Sequence, residues 1–537
     1  MTSPCERTGK GAAFKTSPRD VLMKSLYHKF PRLATERILL YNIYVGCAGC
    51  GRGTPPRRKI SVNKERSMEL PQEYINKIRS LAGLDADAYL ASLDDPPVKA
   101  LRLNREKLVG DLPHMPELTL TPSPLGHDIY FFDGVAGGKN PLHHAGAYYI
   151  QEPAAAMPVL SVPTERGMRV LDLCASPGGK TGQLAEAVGA DGFVLSNEYS
   201  HKRAMTLVGN IERMGFKNCA VSNNSPDRLC PAYAGVFDLV LVDAPCSGEG
   251  MFRREPDAVA AWSPESVAGC AKRQSDILDM AAISVAAGGY LVYSTCTLSP
   301  EEDEYNVAAF LARHEDFELT KPRVPDGIPG LSPGIPTDGI DAALCRRAYP
   351  HLFPGEGQFF AVMRRGSVPV HSAAKPDNRK RGSARKSAAP GIYPLSGGEL
   401  ATVREFFREF TDAEICGTPV MFKGSVYLLP DRAPTLSLDG LLSPGVRVGS
   451  FERDGRLTPH HQFFSAYGNA ARIKPDFAPD DARVAKYLHG ETMTLEEAGL
   501  PSDSVGWGAI CVGGVAAGGI RAAGGTVKNH YPKGLRI

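Results

Sequence analysis

The sequence lacks any strong excess of charge: 61 Lys and Arg oppose 59 Asp and Glu, a formal +2 over 537 residues. Bulk charge therefore announces no nucleic-acid partner, and any basic surface must be local. Cysteine is sparse too. Twelve in a chain this long, with one C-x-x-C at Cys47 and Cys50, do not make a disulfide framework. Reduced thiols in a cytoplasmic protein are expected. That C-x-x-C is half a zinc site with no second pair at a useful spacing, so no metal is expected. No apolar run is long enough to span a membrane. The first residues lack the basic, apolar, small-residue order of a signal peptide. Two cofactor fingerprints are also missing. G-x-G-x-x-G is absent, and a P-loop needs Gly where Cys174 stands before Gly179-Lys180-Thr181.

What is present points to packed domains. The chain is 43% hydrophobic and 22% charged, and long enough for three or four domains. Residues 1–67 are basic and broken by Gly and Pro, and read as a poorly ordered extension that can be removed without loss of activity. From Met68, Tyr74, Ile75, Ile78 and Leu81 recur at helical spacing, opening a small α/β domain over 68–155. Over 156–365, strand-like runs ("MRVLDLC", "GFVLSNE", "FDLVLVDA", "GGYLVYS", "GQFFAVMR") alternate with helical stretches ("KTGQLAEAVG", "SHKRAMTLVGNIERMG", "RQSDILDMAAISVAAG"). This alternation predicts an α/β domain with a mostly parallel sheet and helices on both faces. Residues 366–392 read as a basic flexible linker. A further domain over 393–475 opens with the helix "SGGELATVREFFREF". From about 480, short strands and Gly turns suggest a small β-barrel with a basic-aromatic tail.

"VLDLCASPGGKTGQLAE" is a strand, a Gly-rich turn and a helix start. It suits S-adenosylmethionine, which carries no pyrophosphate: Gly178 and Gly179 let backbone approach the methionine moiety, and helix-start amides can hold its carboxylate. The turn comprises Cys174, Ala175, Ser176, Pro177, Gly178, Gly179 and Lys180. Glu198, at the end of the next strand, is placed for the ribose diol. Asp243, Cys246 and Cys296 fall at further strand ends, where open α/β sheets bind ligands. Ser299 is expected to cap a helix begun by Pro300, Glu301 and Glu302. Cys219, Cys230 and Cys270 read as structural thiols.

"LDLCASPGGKT", "VDAPCSGEGMFRR" and "YSTCTLSPEEDEYNV", with "RLN" at 102–104 and "YYIQEPAAAMP" at 148–158, resemble in order the signature blocks of the RNA cytosine-5 methyltransferases of the bacterial ribosomal RNA type, the family that includes the NOL/NOP2/Sun proteins. The tail "GGTVKNHYPKGLR" resembles the PUA-like domain of the RsmF branch. The resemblance implies a Rossmann-like class I methyltransferase domain between an amino-terminal α/β domain and RNA-binding carboxyl-terminal regions.

The chemistry follows from the base. C5 of cytosine is a poor nucleophile until a thiolate adds to C6 and makes C5 an enamine carbon. An acid near N3 must offset charge building in the ring, and Asp243 is placed for it. A base must then remove the C5 proton so that the thiol can leave. The residues alone do not rank the two thiols. The resemblance makes Cys296 the nucleophile and Cys246 the residue that assists release, and brings Lys180 into the same pocket. It also implies an adenine contact after the next strand, where Ser225, Asn224 or Asp227 stands in place of the family's Asp.

Small-subunit 16S ribosomal RNA is the expected substrate and a monomer the expected state. Transfer RNA is the alternative, as are DNA or protein methylation and a non-catalytic ribosome-assembly factor. The paired cysteines argue against nitrogen or oxygen targets, which need no covalent attack. Arg253 and Arg254 are read either as phosphate ligands or as solvated surface. Lys528, His530, Tyr531, Lys533 and Arg536 are further RNA candidates, although "PHHQFFSAYG" departs from the family's pattern.

Overall fold

The computed structural model describes residues 69–108, 110, 115, 118–137, 140–324, 328–367, 391–436 and 439–537. The extension expected over 1–67, with Cys47 and Cys50, lies outside the described residues, as do all but the ends of the expected linker. Helices α1 (Gln72–Ser80) and α2 (Ala86–Ser92) come first. Tyr74 and Ile78, one turn apart, share the buried face of α1. An antiparallel sheet follows in the order β2 (Leu118–Pro122), β3 (Ile129–Gly134), β1 (Ala100–Leu103), β4 (Tyr148–Ile150), with α3 (Pro141–His144) between β3 and β4. Helix α4 (Pro153–Leu160) leads into the main sheet.

That sheet has the α/β, Rossmann-like organisation the alternating pattern predicts. Strands β5 (Arg169–Asp172), β6 (Phe193–Asn197), β7 (Cys219–Ser222), β8 (Phe237–Asp243) and β9 (Val285–Thr295) lie parallel in the order β7-β6-β5-β8-β9. Parallel neighbours need helical crossovers: α5 (Gly179–Val188), α6 (His201–Met214), α7 (Pro226–Ala232), α8 (Pro256–Ala261) and α9 (Pro264–Ser284). Apolar side chains are buried on both faces, so the strands read as continuous apolar runs. After α10 (Glu304–Arg313) and β10 (Phe317–Thr320), β11 (Leu331–Pro333) and β12 (Arg346–Ala348) extend the edge formed by β13 (Gln358–Arg365), which returns antiparallel beside β9.

Two boundaries differ from expectation. Helix α9 begins at Pro264 behind a Ser263 capping box and stops at Ser284, while "VAAG" belongs to β9, where Val285 pairs with Phe237. Apolar spacing continues unbroken through this junction, so period alone did not mark it. The helix expected from Pro300 begins instead at Glu304. Ser299 Oγ donates to Glu249 Oε1 at 2.7 Å and is committed to that contact rather than to a cap.

From residue 391, β14 (Ile392–Pro394), α11 (Gly397–Phe410), β15 (Thr418–Phe422), β16 (Ser425–Leu429), β18 (Val446–Phe451) and β19 (Leu457–Pro459) form a second antiparallel domain. One of its strands, β17 (Leu441–Ser443), leaves it and pairs with β7 at the edge of the main sheet. Helix α12 (His461–Tyr467), the "PHHQFFSAYG" block, is buried almost throughout. The last sheet runs β20 (Asp476–Phe477), β22 (Gly506–Val512), β23 (Val515–Ala523), β24 (Thr526–Asn529), β21 (Met493–Thr494), with α13 (Ala482–His489) beside it. Lys107 ties three parts together, donating to the carbonyls of Ala145 (2.6 Å), Arg213 (3.3 Å) and Ala516 (3.1 Å). Among the described residues no helix is long and apolar enough to cross a membrane.

Candidate active site

Strands β8 and β9 are adjacent and parallel, with Asp243 level with Ser294. Their chains therefore leave the sheet side by side, and residues just beyond both ends must meet. Cys246 and Cys296 do: their sulfurs are 3.2 Å apart. Beside them, Lys180 Nζ donates to Asp243 Oδ2 at 2.8 Å, and Ser294 Oγ donates to Oδ1 at 2.7 Å. Burial opposes the Lys180 ammonium, but Asp243, with Cys296 adding to it, outweighs burial and holds its pKa above the ordinary lysine value. The Cys246 thiol is pushed well above its ordinary value by its contact with Cys296, by burial and by nearby Glu302.

The loops that carry the thiols are held by buried carboxylates. Glu249, fully buried, accepts from Lys77 Nζ (3.0 Å), Trp262 Nε1 (2.7 Å), Leu298 N (3.1 Å) and Ser299 Oγ (2.7 Å), so it joins α1 to both loops. Glu302 accepts from Ser247 N at 3.0 Å and Gln274 Nε2 at 2.7 Å. Gln274 also holds the carbonyl of Pro245 at 3.1 Å. Gly250 N donates to the carbonyl of Cys296 at 2.9 Å, and Gly357 packs so close that a Cβ at Gly250 would lie 2.4 Å from its carbonyl oxygen.

The Gly-rich turn lines a cavity of about 180 Å³ together with Tyr149, Gln151, Asp172 and Asp243. Gly178 caps α5 with φ 113°, a conformation that excludes a side chain at little cost only for glycine. A Cβ at Gly179 would come 3.0 Å from the Tyr149 ring, so glycine lets the turn pack against that ring. Asp172 accepts from Thr181 Oγ1 at 2.7 Å through Oδ2, while its buried Oδ1 has no partner. Burial, with Thr181 opposing and Asp243 adding, pushes its carboxyl up to about 7. The Cys174 thiol is raised by burial and then by Asp172, Glu198 and Asp243. Three acidic residues, Glu152, Asp172 and Asp243, line this small pocket, with a spare acceptor on Asp172, and this suits a cationic ligand such as a sulfonium.

Of the residues singled out in the sequence, Cys174, Ala175, Ser176, Pro177, Gly179, Lys180 and Asp243 line this cavity. Glu198 lies one residue past β6, buried, with Oε1 accepting from Ser200 N at 2.9 Å. Ser225 stands at the N-cap of α7, Asn224 is buried against Gly440 and Asp227 is exposed. Arg253 is not solvated surface, its side chain being 3% exposed, while Arg254 remains 26% exposed. Both guanidinium groups bind fully buried Glu356, at 3.0 and 2.9 Å, because that carboxylate needs compensation. Tyr531 is 2% exposed and packs on Tyr487 and His461, so its ring is core rather than an RNA face. Arg536 donates to the carbonyl of Tyr531 at 3.3 Å.

Sequence reasoning missed Asp172, Gln151 and Ser294. Asp172 carried a signal, an acid at the end of an apolar strand, while Gln151 and Ser294 carried none by themselves. Among the described residues, no group of three His, Cys, Asp or Glu side chains is arranged to hold a metal ion.

Comparison with known proteins adds three matches. Residues 159–364 match the family described as 16S rRNA methyltransferase RsmB/F, residues 70–153 the N-terminal domain of 16S rRNA methyltransferase RsmF, and residues 474–537 the methyltransferase RsmF PUA domain. Ribosomal RNA small subunit methyltransferase F of Serratia proteamaculans is 34% identical over 349 residues, covering 63% of this chain and 70% of that one. The protein of that name from Escherichia coli strain SMS-3-5 is 33% identical over 329 residues, covering 58% of this chain and 67% of that one. A solved methyltransferase homolog protein from Pyrococcus horikoshii is 25% identical, with a TM-score of 0.46 over 56% of this chain and 96% of that chain.

Proposed function

The chain belongs to the ribosomal RNA small subunit methyltransferase F family, and from that premise we propose that it methylates C5 of cytosine in 16S ribosomal RNA, using S-adenosylmethionine and a covalent bond from cysteine to C6. The observation that carries this reading is the pair of sulfurs 3.2 Å apart beside Lys180 and Asp243. Methylation at nitrogen or oxygen has no use for two adjacent thiols, whereas attack at a pyrimidine C6 needs one and its release can use the second.

The turn Cys174–Lys180 holds the methionine end of the cofactor, Glu198 the ribose, and the loop of Asn224, Ser225 and Asp227 the adenine. When bound, S-adenosylmethionine supplies an electrophilic methyl group on a sulfonium. Cys296 attacks C6, forming the S–C6 bond and making C5 the nucleophilic carbon. Asp243 faces the N3 side of the ring, and the Lys180 ammonium beside it supplies positive charge where electron density gathers. Cys246 keeps its proton, because Cys296, burial and Glu302 all disfavour its thiolate. A thiol that keeps its proton can donate a hydrogen bond to the Cys296 sulfur, 3.2 Å away. After the C5–CH3 bond forms, water acting as base takes the C5 proton, and the C5–H electron pair re-forms the C5–C6 double bond while the S–C6 pair leaves on the Cys296 sulfur. The S–C6 bond breaks, and Cys246 assists departure of Cys296. The amino-terminal domain and the last sheet extend the RNA footprint in a cytoplasmic, monomeric enzyme.

The test uses small-subunit RNA carrying 5-fluorocytidine, whose C5 has no proton to lose. With S-adenosylmethionine, a protein–RNA band that survives denaturing electrophoresis is expected. Methyl transfer to this RNA with no such band, or methyl found on nitrogen or oxygen, refutes the reading.

A further inference from the structure

A second cavity, of about 590 Å³, lies behind the candidate active site. It sits between the loop after β1, the end of α4, the last turns of α5 and the segment around Arg323. Its floor is apolar: Val159, Leu160, Val162 and Val324. Three arginines and one histidine stand around it against two acids, Glu186 and Asp128. Arg102 is ion-paired to Glu186, and Arg105 to Asp128. Among the described residues the exposed Arg323 side chain makes no ion pair or hydrogen bond, so one guanidinium is uncompensated by them, with His127 also at the rim. Among the described residues, two buried polar atoms of the lining, Thr164 Oγ1 and Glu186 Oε1, have no hydrogen-bond partner, and Arg102 Nη2 has none either.

We propose that this cavity binds one nucleotide of the substrate RNA, outside the nucleotide that is methylated. The apolar floor suits a base face, the unpaired Thr164 hydroxyl and Glu186 oxygen suit base-edge donors and acceptors, and Arg323 suits a phosphate. The volume lies within the ~300–1,000 Å³ usual for small-molecule pockets. Position favours an RNA strand over a free nucleotide. Arg102 Nε donates at 3.1 Å to Gln151, Gln151 donates at 3.2 Å to Gln183, and Gln151 also lines the active-site cavity. This one wall of side chains separates the second cavity from the cofactor pocket, beside which Lys180 and Asp243 face the target base, so a strand with its target base there can place a neighbour in the second cavity. The inference rests on the proposal that the substrate is RNA.

The experiment irradiates the full-length protein with small-subunit RNA containing 4-thiouridine, without S-adenosylmethionine, and maps the cross-linked peptides. Wild type and Arg323→Glu are compared, and each is also titrated with uridine 5′-monophosphate and followed by thermal shift. Cross-links on peptides containing residues 159–164 or 323–324 are expected. Arg323→Glu should reduce them and weaken RNA binding about tenfold, the effect of one charge-assisted contact, with S-adenosylmethionine affinity unchanged. Stabilisation by the monophosphate that Arg323→Glu abolishes, without cross-links at these peptides, keeps a nucleotide site but overturns RNA as its source. Neither cross-link nor monophosphate effect overturns the site altogether. The absence of cross-links at every peptide, those near Cys246 and Cys296 included, is the distinct result that refutes RNA as substrate.

Discussion

Replacing Glu356 with alanine leaves two guanidinium groups without their carboxylate. The Glu356 side chain is 0% exposed, Arg253 is 3% exposed and Arg254 26%. Breaking a buried pair by removing one partner costs about 3–5 kcal/mol, because a charge is left in a poorly solvated site. For a cooperative unit of roughly 150–250 residues, each kcal/mol lowers the melting temperature by about 2–4 °C. Glu356→Ala should therefore melt at least about 6 °C below wild type by scanning calorimetry. Arg254 reaches the carbonyl of Val98, and Arg253 that of Gly355 at 2.9 Å, so these contacts should loosen with it. The same reasoning gives these arginines no part in RNA binding. A variant that melts with wild type and binds RNA more tightly would refute it, since arginines freed from Glu356 would then be acting as phosphate ligands.

Other outcomes follow from the same geometry. Because Asp172 holds its proton up to about 7 and a sulfonium favours its ionised form, S-adenosylmethionine should bind more tightly as pH rises from about 6 to about 8. Calorimetric titration should show less change for S-adenosylhomocysteine, and a profile that persists in Asp172→Asn would count against the assignment. In the free protein the same raised pKa lowers stability between the ordinary carboxylate value and about 7, where the unfolded chain has lost this proton and the native chain keeps it. Lys180→Met should lower kcat by about 10²-fold or more in single-turnover assays while RNA affinity stays near wild type; an unaltered kcat removes Lys180 from the chemistry. Glu249→Ala should lose about 3 kcal/mol or more in chemical denaturation, since four donors lose one buried acceptor. A loss below about 0.5 kcal/mol would show that α1 and the two thiol loops are not held through it.

The strands and the turn were legible because they carry short-range signals. Continuous apolar runs gave β5, β6, β8, β9 and β13 but not the four-residue β7, and a Gly-rich turn before a helix gave the mouth of α5. The two strand-end cysteines were visible as a pair, but their 3.2 Å separation follows from β8 and β9 being adjacent, which no local pattern states. What stayed hidden is long-range compensation. Glu356 lies about a hundred residues beyond Arg253 and Arg254, so "FRREP" read as surface although its charges were already paired. Ser299 looked like a helix cap until Glu249, fifty residues earlier, was seen to hold its hydroxyl. Pairing of β17 with β7 joins segments over two hundred residues apart, and neither segment's composition marks the other as its partner.

The central claim, that one thiol attacks C6 and the other releases it, is tested most directly on radiolabelled 16S RNA with wild type, Cys296→Ala and Cys246→Ala, resolved on denaturing gels. The account predicts that Cys246→Ala accumulates a covalent RNA complex, and that Cys296→Ala forms none and transfers no methyl group. A reversed pattern would make Cys246 the nucleophile, and methyl transfer unchanged in both variants would mean that the target is not a pyrimidine C5.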